Sequence, residues 1–209
     1  DYSFDFDGVG DLFTFPDIPF LKAGGDYISV SAWIHPTGGT QLGFWSCRSA
    51  TPDQIGFYRD TTDKLGFFVY STSGGTDTLA ALSDVANVPD DAWYNIVATF
   101  DGTEGSASDR IKLYVNGVVQ AITVTCTGTK LPAGALGVYN FIGSTYAGVY
   151  NVGYESNVAI WDSTLTAANA LTIYNNGRPG DLTSLSPIAW WKMGEEAFCP
   201  DYTATPNVW

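Results

Sequence analysis

The chain has 209 residues, and its 22 acidic against 9 basic residues give a formal net charge of −13 and a pI of about 4.1. Such an acidic surface repels phosphate backbones and anionic lipid head groups, so we expect neither nucleic acid nor membrane insertion among its partners. Aromatic residues make up 15% of the chain and charged residues only 15%, with 23 Gly and 10 Pro, which is typical of short strands joined by tight turns and not of a disordered chain or a helical bundle.

The first half of the chain predicts a series of short strands. Tyr27–His35 alternates between apolar and polar side chains, the period of a strand with one face in the core, and Pro36–Gly39 ends it. Further short strands bounded by turn residues are predicted at Leu42–Trp45, Gln54–Arg59 and Leu65–Ser71.

The middle of the chain predicts a central strand and a hairpin. Trp93–Phe100 is apolar on both faces, as expected for a strand covered on both sides. Ile111–Val115 alternates and is followed by Asn116-Gly117, a strong hairpin signal because both residues tolerate the positive φ of a type I′ turn. Val118–Thr127 is the predicted return strand.

The last third predicts two more strands, one helix and a closing strand. Phe141–Ser144 and Gly153–Trp161 have strand patterns, and Ile188–Met193 is expected to return to the sheet. Thr166–Tyr174 is predicted as a helix with Thr166 at its N-cap. The predicted fold class is therefore all-β, a two-sheet antiparallel sandwich or jelly roll with one short helix.

Several of these segments occur in an order that is typical of a known family. They are Phe4–Gly8, Tyr27–Ile34, Trp93–Gly102, Ile111–Gly117, Ile142–Ser144, Gly153–Trp161 and Leu165–Gly177. On these residues the chain resembles the laminin G-like branch of the concanavalin A-like lectin/glucanase superfamily. The resemblance implies two stacked antiparallel sheets in a jelly roll, often with Ca²⁺ at the rim.

The C-terminal part carries a narrower resemblance. Asn176–Leu182 and Ala189–Glu195 are similar to segments of laminin G-like domains in structural proteins of tailed phages, especially marine ones. This implies a place on a virion surface or another extracellular surface. We expect one domain over residues 1–195 and an irregular tail over 196–209 that packs on the domain or on a neighbour, within a homo-oligomeric assembly.

Calcium is the predicted ligand of the first turn. Asp7 and Asp11 lie there, and the resemblance implies that the turn approaches the late Gly153–Glu155 segment, because the first and last strands pair. Asp7, Asp11 and Glu155 together with backbone carbonyls would then supply the oxygen ligands that Ca²⁺ prefers. The alternative is that Asp7 makes an Asx turn before Gly8.

Aromatic side chains are the candidates for sugar binding, because their flat faces stack on pyranose rings. The candidate rings are Trp33, Trp45, Tyr58, Phe68, Tyr70, Tyr139 and Tyr146, whereas Trp93 and Trp161 are expected in the core. The stretch from Tyr139 to Tyr154 combines tyrosines with Gly and Asn, a composition typical of adaptable contact loops. We expect a glycan or protein contact first at its tyrosines, Tyr139, Tyr146, Tyr150 and Tyr154.

Catalysis is not predicted. The superfamily that the chain resembles also contains glycoside hydrolases, and a retaining glycosidase needs two carboxylates about 5 Å apart. The chain has four Glu, and none has an acidic residue two positions later within a predicted strand. Glu155 lies on such a strand but is followed by Ser156 and Asn157. The one histidine, His35, precedes Pro36 and is expected at the end of a strand, at the rim.

The predicted function is a non-catalytic recognition module that contacts a glycan or a neighbouring protein on a virion or extracellular surface. The alternatives are a purely structural capsid-decoration, fibre or filament subunit and, third, a glycoside hydrolase. Cys47, Cys126 and Cys199 form no CxxC pair, which argues against zinc and redox chemistry. One disulfide with one remaining thiol and three buried thiols are both compatible with this sequence.

Overall fold

The computed structural model describes residues 3–39, 41–48, 54–71, 77–126, 128–129, 131, 139–145 and 148–193. In chain order the strands are β1 (Phe4–Asp7), β2 (Phe13–Thr14), β3 (Tyr27–Pro36), β4 (Leu42–Arg48), β5 (Gln54–Arg59), β6 (Leu65–Ser71), β7 (Asp77–Ser83), β8 (Tyr94–Asp101), β9 (Ile111–Val115), β10 (Val118–Val119), β11 (Ile122–Cys126), β12 (Tyr139–Ile142), β13 (Ser144–Thr145), β14 (Val149–Tyr150), β15 (Val152–Trp161) and β16 (Ala189–Trp191). The helices are α1 (Pro19–Ala23), α2 (Ala107–Arg110) and α3 (Ala167–Tyr174), with a 3₁₀ turn at Thr183–Leu185. The predicted tail 196–209 and Cys199 lie outside the described residues.

Two seven-stranded antiparallel sheets form the sandwich, which confirms the predicted fold class. Sheet A has the order β1-β15-β3-β8-β9-β10, with β16 paired to β15, and sheet B has the order β11-β7-β6-β5-β4-β12-β2. β13 and β14 form a separate two-stranded hairpin. No helix of the described residues is long and apolar enough to cross a bilayer.

The inner faces of the two sheets make the main core. On β3 the predicted inner residues Ile28, Val30, Ala32 and Ile34 are all fully buried, as the period of two requires. They pack in one cluster with Phe57, Phe67 and other apolar residues of sheet B. Cys47 belongs to this core as a free thiol, and burial raises the pKa of that thiol.

A second, smaller core lies on the outer face of sheet A, where α3 packs. It consists of Val97, Tyr114, Ala159, Trp161, Leu165, Ala170, Ile173 and Leu182. The helix begins as predicted, because the Thr166 hydroxyl accepts from the Asn169 N–H and the Asn169 side chain accepts from the Thr166 N–H, a capping box. The middle parts of β3 and β8 are therefore covered on both faces.

Two local predictions have different outcomes after β9. The hairpin turn is confirmed, since Asn116 and Gly117 have φ of 51° and 75°. The single return strand Val118–Thr127 is wrong: only Val118–Val119 pairs with β9, and Ile122–Cys126 crosses to sheet B and pairs with β7. The half-buried Ile122 and Val124 pack against the main core from that sheet, which a hairpin confined to sheet A would not allow. β7 itself was not predicted, because its Leu-Ala-Ala-Leu centre has little β propensity.

Candidate functional site

The outer face of sheet B carries a group of five aromatic rings, here called the aromatic face, and it consists of Tyr58, Phe68, Tyr70, Tyr139 and Phe141. Because Phe57 and Phe67 point into the core, their neighbours Tyr58 and Phe68 point outward. The ring centroids of Tyr58 and Phe68 are 5.7 Å apart, those of Phe68 and Tyr70 are 5.1 Å apart, and those of Tyr139 and Phe141 are 6.3 Å apart.

Two glycines let rings of the aromatic face lie flat on the sheet. A Cβ added at Gly56 would overlap the ring of Phe68, and a Cβ added at Gly66 would overlap the ring of Tyr58. Glycine within a strand often marks a place where another group approaches the backbone closely. Each ring is therefore seated on a neighbouring strand with one flat side towards the backbone and the other turned away from it.

Two polar side chains, Arg48 and Gln54, lie between the aromatic rings. The register places Tyr139 opposite Arg48, Arg48 opposite Gln54, and Gln54 opposite Tyr70, so these four side chains share one row across four strands. The Arg48 guanidinium carbon lies 5.9 Å from the centroid of the Tyr139 ring. The Gln54 Oε1 atom is buried and has no hydrogen-bond partner among the described residues.

The β13–β14 hairpin bounds the aromatic face at one end. A Cβ at Gly43, which lies opposite Tyr58, would meet the backbone of Thr145 and Val149. The pKa of the Tyr58 phenol is raised by burial and by the nearby Tyr70 and Asp60, so the phenol keeps its proton and can donate a hydrogen bond. The face thus offers flat aromatic rings with a hydrogen-bond donor, the Tyr58 phenol, at the edge of one of them.

The tyrosines predicted as one contact region do not come together. Tyr139 is 46% exposed on the aromatic face, whereas Tyr154 is 37% exposed on the outer face of sheet A, the opposite side of the sandwich. Tyr150 is half-buried in the hairpin, and Tyr146 lies outside the described residues. The reason is that the stretch is built of strands β12–β15, which switch between sheets, and not of a single loop.

Three predicted placements of tryptophan need correction. Trp33 is buried and stacks on Tyr174 at the end of α3, with ring centroids 6.1 Å apart, and Trp45 is buried in the main core. Neither ring can therefore stack on a sugar. Trp93, expected in the core, is 42% exposed instead, because it lies just before β8 begins. Trp161 is buried as predicted.

Of the three carboxylates predicted to share a calcium ion, Asp7 and Glu155 lie on different faces of sheet A, and Asp11 lies in the loop after β1. β1 and β15 do pair, as the family resemblance implied, but Glu155 lies opposite Phe4, and Asp7 lies opposite Val152. Asp7 Oδ1 accepts from the Val9 N–H at 2.8 Å, the predicted Asx turn, and Asp11 Oδ2 accepts from the Asp7 N–H at 3.2 Å. Within the described ranges no three His, Cys, Asp or Glu side chains are grouped so as to hold a metal. The three residues do not fit one coordination shell, and calcium at the Asp7–Asp11 turn stays a prediction.

Glu155 faces the interior because β15 contains a bulge. The register shifts between Ser156 and Ala159, and Asn157 has a φ of 49°, so the alternation reverses there. Glu155 is consequently 0% exposed, its Oε2 accepts from Asn151 Nδ2 at 3.3 Å, and burial raises its pKa. Its cross-strand neighbours Phe4 and Ile34 are apolar. This carboxyl group does not contact solvent or a second carboxylate across the strands, so it cannot act as half of a glycosidase pair.

Two stacked antiparallel sheets of seven strands each place the chain among the jelly-roll β-sandwich proteins. The family model described as Laminin_G_3, of the concanavalin A-like lectin/glucanases superfamily, matches residues 7–170, and the chain belongs to this family. No curated protein sequence matches the chain.

Solved structures with the same fold include a pentraxin and two domains solved with bound oligosaccharides. The heptameric SAP-like pentraxin of Limulus polyphemus is 16% identical with a TM-score of 0.56, over 81% of this chain and 80% of that one. The CBM40 of the Ruminococcus gnavus IT-sialidase, bound to α2,3-sialyllactose, is 12% identical with a TM-score of 0.59, over 82% and 97%. Domain 4 of the arabinanase AbnA of Geobacillus stearothermophilus, in complex with arabinotriose, is 17% identical with a TM-score of 0.55, over 82% and 76%. At these identities the likeness shows the fold.

Proposed function

We propose that this chain is a non-catalytic carbohydrate-binding module and that the aromatic face of sheet B is its contact surface. The observation that carries the proposal is the flat seating of Tyr58 and Phe68 over Gly66 and Gly56. Flat rings with a hydrogen-bonding group at their edge match the apolar face and polar edge of a sugar ring. The Tyr58 phenol, which keeps its proton, supplies that group as a hydrogen-bond donor.

The aromatic face is longer than one sugar ring. Tyr139 and Tyr70 are separated by three strand spacings, which is about 14 Å at about 4.8 Å per spacing. A short oligosaccharide could therefore contact both ends of the row through the same two tyrosines. Two structures of the same fold contain bound sugars, sialyllactose in the CBM40 and arabinotriose in the arabinanase domain, and these support the sugar class for this chain.

A glycan array followed by calorimetry tests the proposal. The wild-type chain should bind at least one oligosaccharide, and Tyr70→Ala should weaken that binding by about 2 kcal/mol, or roughly 30-fold. Tyr27→Ala is the matched control, because Tyr27 is 39% exposed but lies on sheet A; its affinity should equal that of the wild type. Equal affinities for Tyr70→Ala and wild type would contradict the assignment of the site.

An assembly module on a virion or other extracellular surface is the second candidate, and an apolar edge favours it. Val118, Val119 and Leu171 are all more than half exposed at the free edge of sheet A, and Leu171 packs beside Gly117. Light scattering after size-exclusion chromatography should then give a homo-oligomer that Val119→Ser dissociates. A monomer at the highest attainable concentration would contradict this role.

Calcium at the Asp7–Asp11 turn is proposed only as a stabilising ion. An ion that binds the folded state and not the unfolded state raises the melting temperature. Calcium should therefore raise the melting temperature of the EDTA-treated wild type and leave that of Asp11→Asn unchanged. Identical melting curves of the wild type with calcium and with EDTA would contradict the proposal.

A further inference from the structure

A second exposed aromatic surface lies on the opposite side of the sandwich, on the outer face of sheet A. The register places Asp5 opposite Tyr154 and Tyr154 opposite His35, and Trp93 follows on the next strand because Ile34 lies opposite Tyr94. These four residues, here called the His35 row, share one face of four neighbouring chain segments. The ring of His35 lies 5.4 Å from that of Trp93 and 5.7 Å from that of Tyr154.

The His35 row is the part of this face that α3 leaves open. The helix covers the rows of Ser31 and Trp33, where Val97 and Ala159 are buried. It ends at Tyr174, whose ring stacks on Trp33. One row further along β3, Trp93 and Tyr154 are 42% and 37% exposed, with centroids 6.5 Å apart and planes inclined by only 34°. The three ring centroids thus form a triangle, in which Trp93 and Tyr154 lie next to each other beside His35, and their exposed parts make one shallow platform.

Polar groups border this platform. Asp5 is exposed at one end of the row, opposite Tyr154 in the strand register. The Nδ1 atom of His35 is buried and has no hydrogen-bond partner among the described residues, although most buried polar atoms have one. The site therefore combines two exposed, inclined aromatic rings and a carboxylate around a histidine whose Nδ1 is buried beside them.

We propose that the His35 row is a second sugar site, which takes a single uncharged pyranose residue. The exposed surface of two rings is far smaller than the roughly 800 Å² that each partner buries in a stable protein interface, so a small ligand fits it better than a second copy of the chain. Asp5 and the net charge of −13 disfavour a uronic or sialic acid there. This site is independent of the aromatic face, and occupation of both would make the module bivalent.

Saturation-transfer NMR and calorimetry with neutral trisaccharides of glucose, mannose, xylose and galactose test this inference. Wild-type chain should show two binding events, of which Trp93→Ala removes one or weakens it about tenfold. Tyr70→Ala should spare that event, and the double variant should lose both. Tyr27→Ala serves as control, since Tyr27 has similar exposure on the same face at the other end of β3.

The outcomes separate this site from the aromatic face. If Trp93→Ala loses sugar binding and Tyr70→Ala does not, the sugar site at the His35 row is supported. If Tyr70→Ala loses all sugar binding and Trp93→Ala loses none, the proposal is wrong. If Trp93→Ala does not fold, Tyr154→Ala replaces it, with the same expected loss. A change in oligomeric mass in either variant would show that the surface contacts a second copy of the chain, and would overturn the proposal. The absence of any sugar signal that depends on Trp93 or Tyr154 would also overturn it.

Discussion

The outer faces of the two sheets differ in whether other parts of the chain cover their apolar side chains. On sheet A, Val97, Ala159 and Trp161 are covered by α3 and its flanking residues, so that this part of the face is a second core. On sheet B, Tyr58 and Phe68 lie flat over glycines and stay half-buried. A covered face contributes to stability, whereas an uncovered aromatic face is a feature of binding surfaces. The comparison therefore separates residues that hold the fold from residues that are free to contact a ligand.

Removing a side chain beneath α3 should have the largest effect on stability and none on binding. Ile173 is buried between the helix and sheet A, and Ile173→Ala should lower the free energy of unfolding by about 2–5 kcal/mol. Chemical denaturation measures the loss, and calorimetry with the glycan checks the affinity. A loss below about 1 kcal/mol would mean that α3 does not form the second core described above.

A methyl group added at Gly56, beneath the ring of Phe68, should lower both the stability of the fold and the affinity for the glycan. In Gly56→Ala the new methyl group overlaps the ring of Phe68, so the ring must move, at a cost of about 1–3 kcal/mol, and glycan affinity should fall. Gly105→Ala is the control, since a Cβ there meets nothing within 4 Å. Unchanged glycan affinity in Gly56→Ala would show that binding does not depend on the position of the Phe68 ring over Gly56.

The buried carboxyl group of Glu155 should make stability depend on pH. Burial raises its pKa in the folded state, so the folded state binds the proton more tightly, and the free energy of unfolding falls as pH rises above the ordinary glutamate value of 4.5. Glu155→Gln removes this dependence and should be more stable than wild type by about 1–3 kcal/mol at alkaline pH, with little difference at pH 4. Exposed Glu104→Gln should show no such trend, and parallel wild-type and Glu155→Gln stability curves would contradict the buried placement.

The smallest effect is expected at the N-terminus of α3. Thr166→Ala removes the side-chain acceptor of the capping box and should lower the free energy of unfolding by about 1 kcal/mol. Thr166→Ser keeps a hydroxyl and should retain most of that stability. Equal losses in the two variants would show that the cap hydrogen bond contributes nothing.

The parts of the fold that depend on local chemistry could be predicted from the sequence. The alternation of β3, the Asn116-Gly117 turn and the cap at Thr166 each follow from a few neighbouring residues, and all three are confirmed. The crossing of the chain to sheet B at Ile122 could not, because it depends on where the edge of the other sheet lies. Local patterns carry no information about that edge.

The candidate site could be predicted only in part, because it depends on the register in which the strands pair. Tyr58, Phe68, Tyr70 and Tyr139 were recognised as candidate rings, but their meeting on one face depends on pairings across β4, β5 and β6. The bulge at Asn157 reverses the alternation of β15, and a shift of one residue moves a side chain to the other face. The expectation that Glu155 lies near Asp7 rests on the pairing of the first and last strands, which does occur, but that pairing does not reveal that Glu155 faces the interior.

The most direct test of the central claim is calorimetry of the wild type, Tyr70→Ala and Tyr27→Ala against the best ligand of a glycan array. Tyr27 is 39% exposed and Tyr70 is half-buried, so chemical denaturation must show that both variants stay folded before a difference in affinity is assigned to the ligand. We predict that Tyr70→Ala binds roughly 30-fold more weakly and that Tyr27→Ala binds like the wild type. Equal affinities for all three, or no glycan bound by the wild type, would contradict the assignment of the aromatic face as a sugar-binding surface.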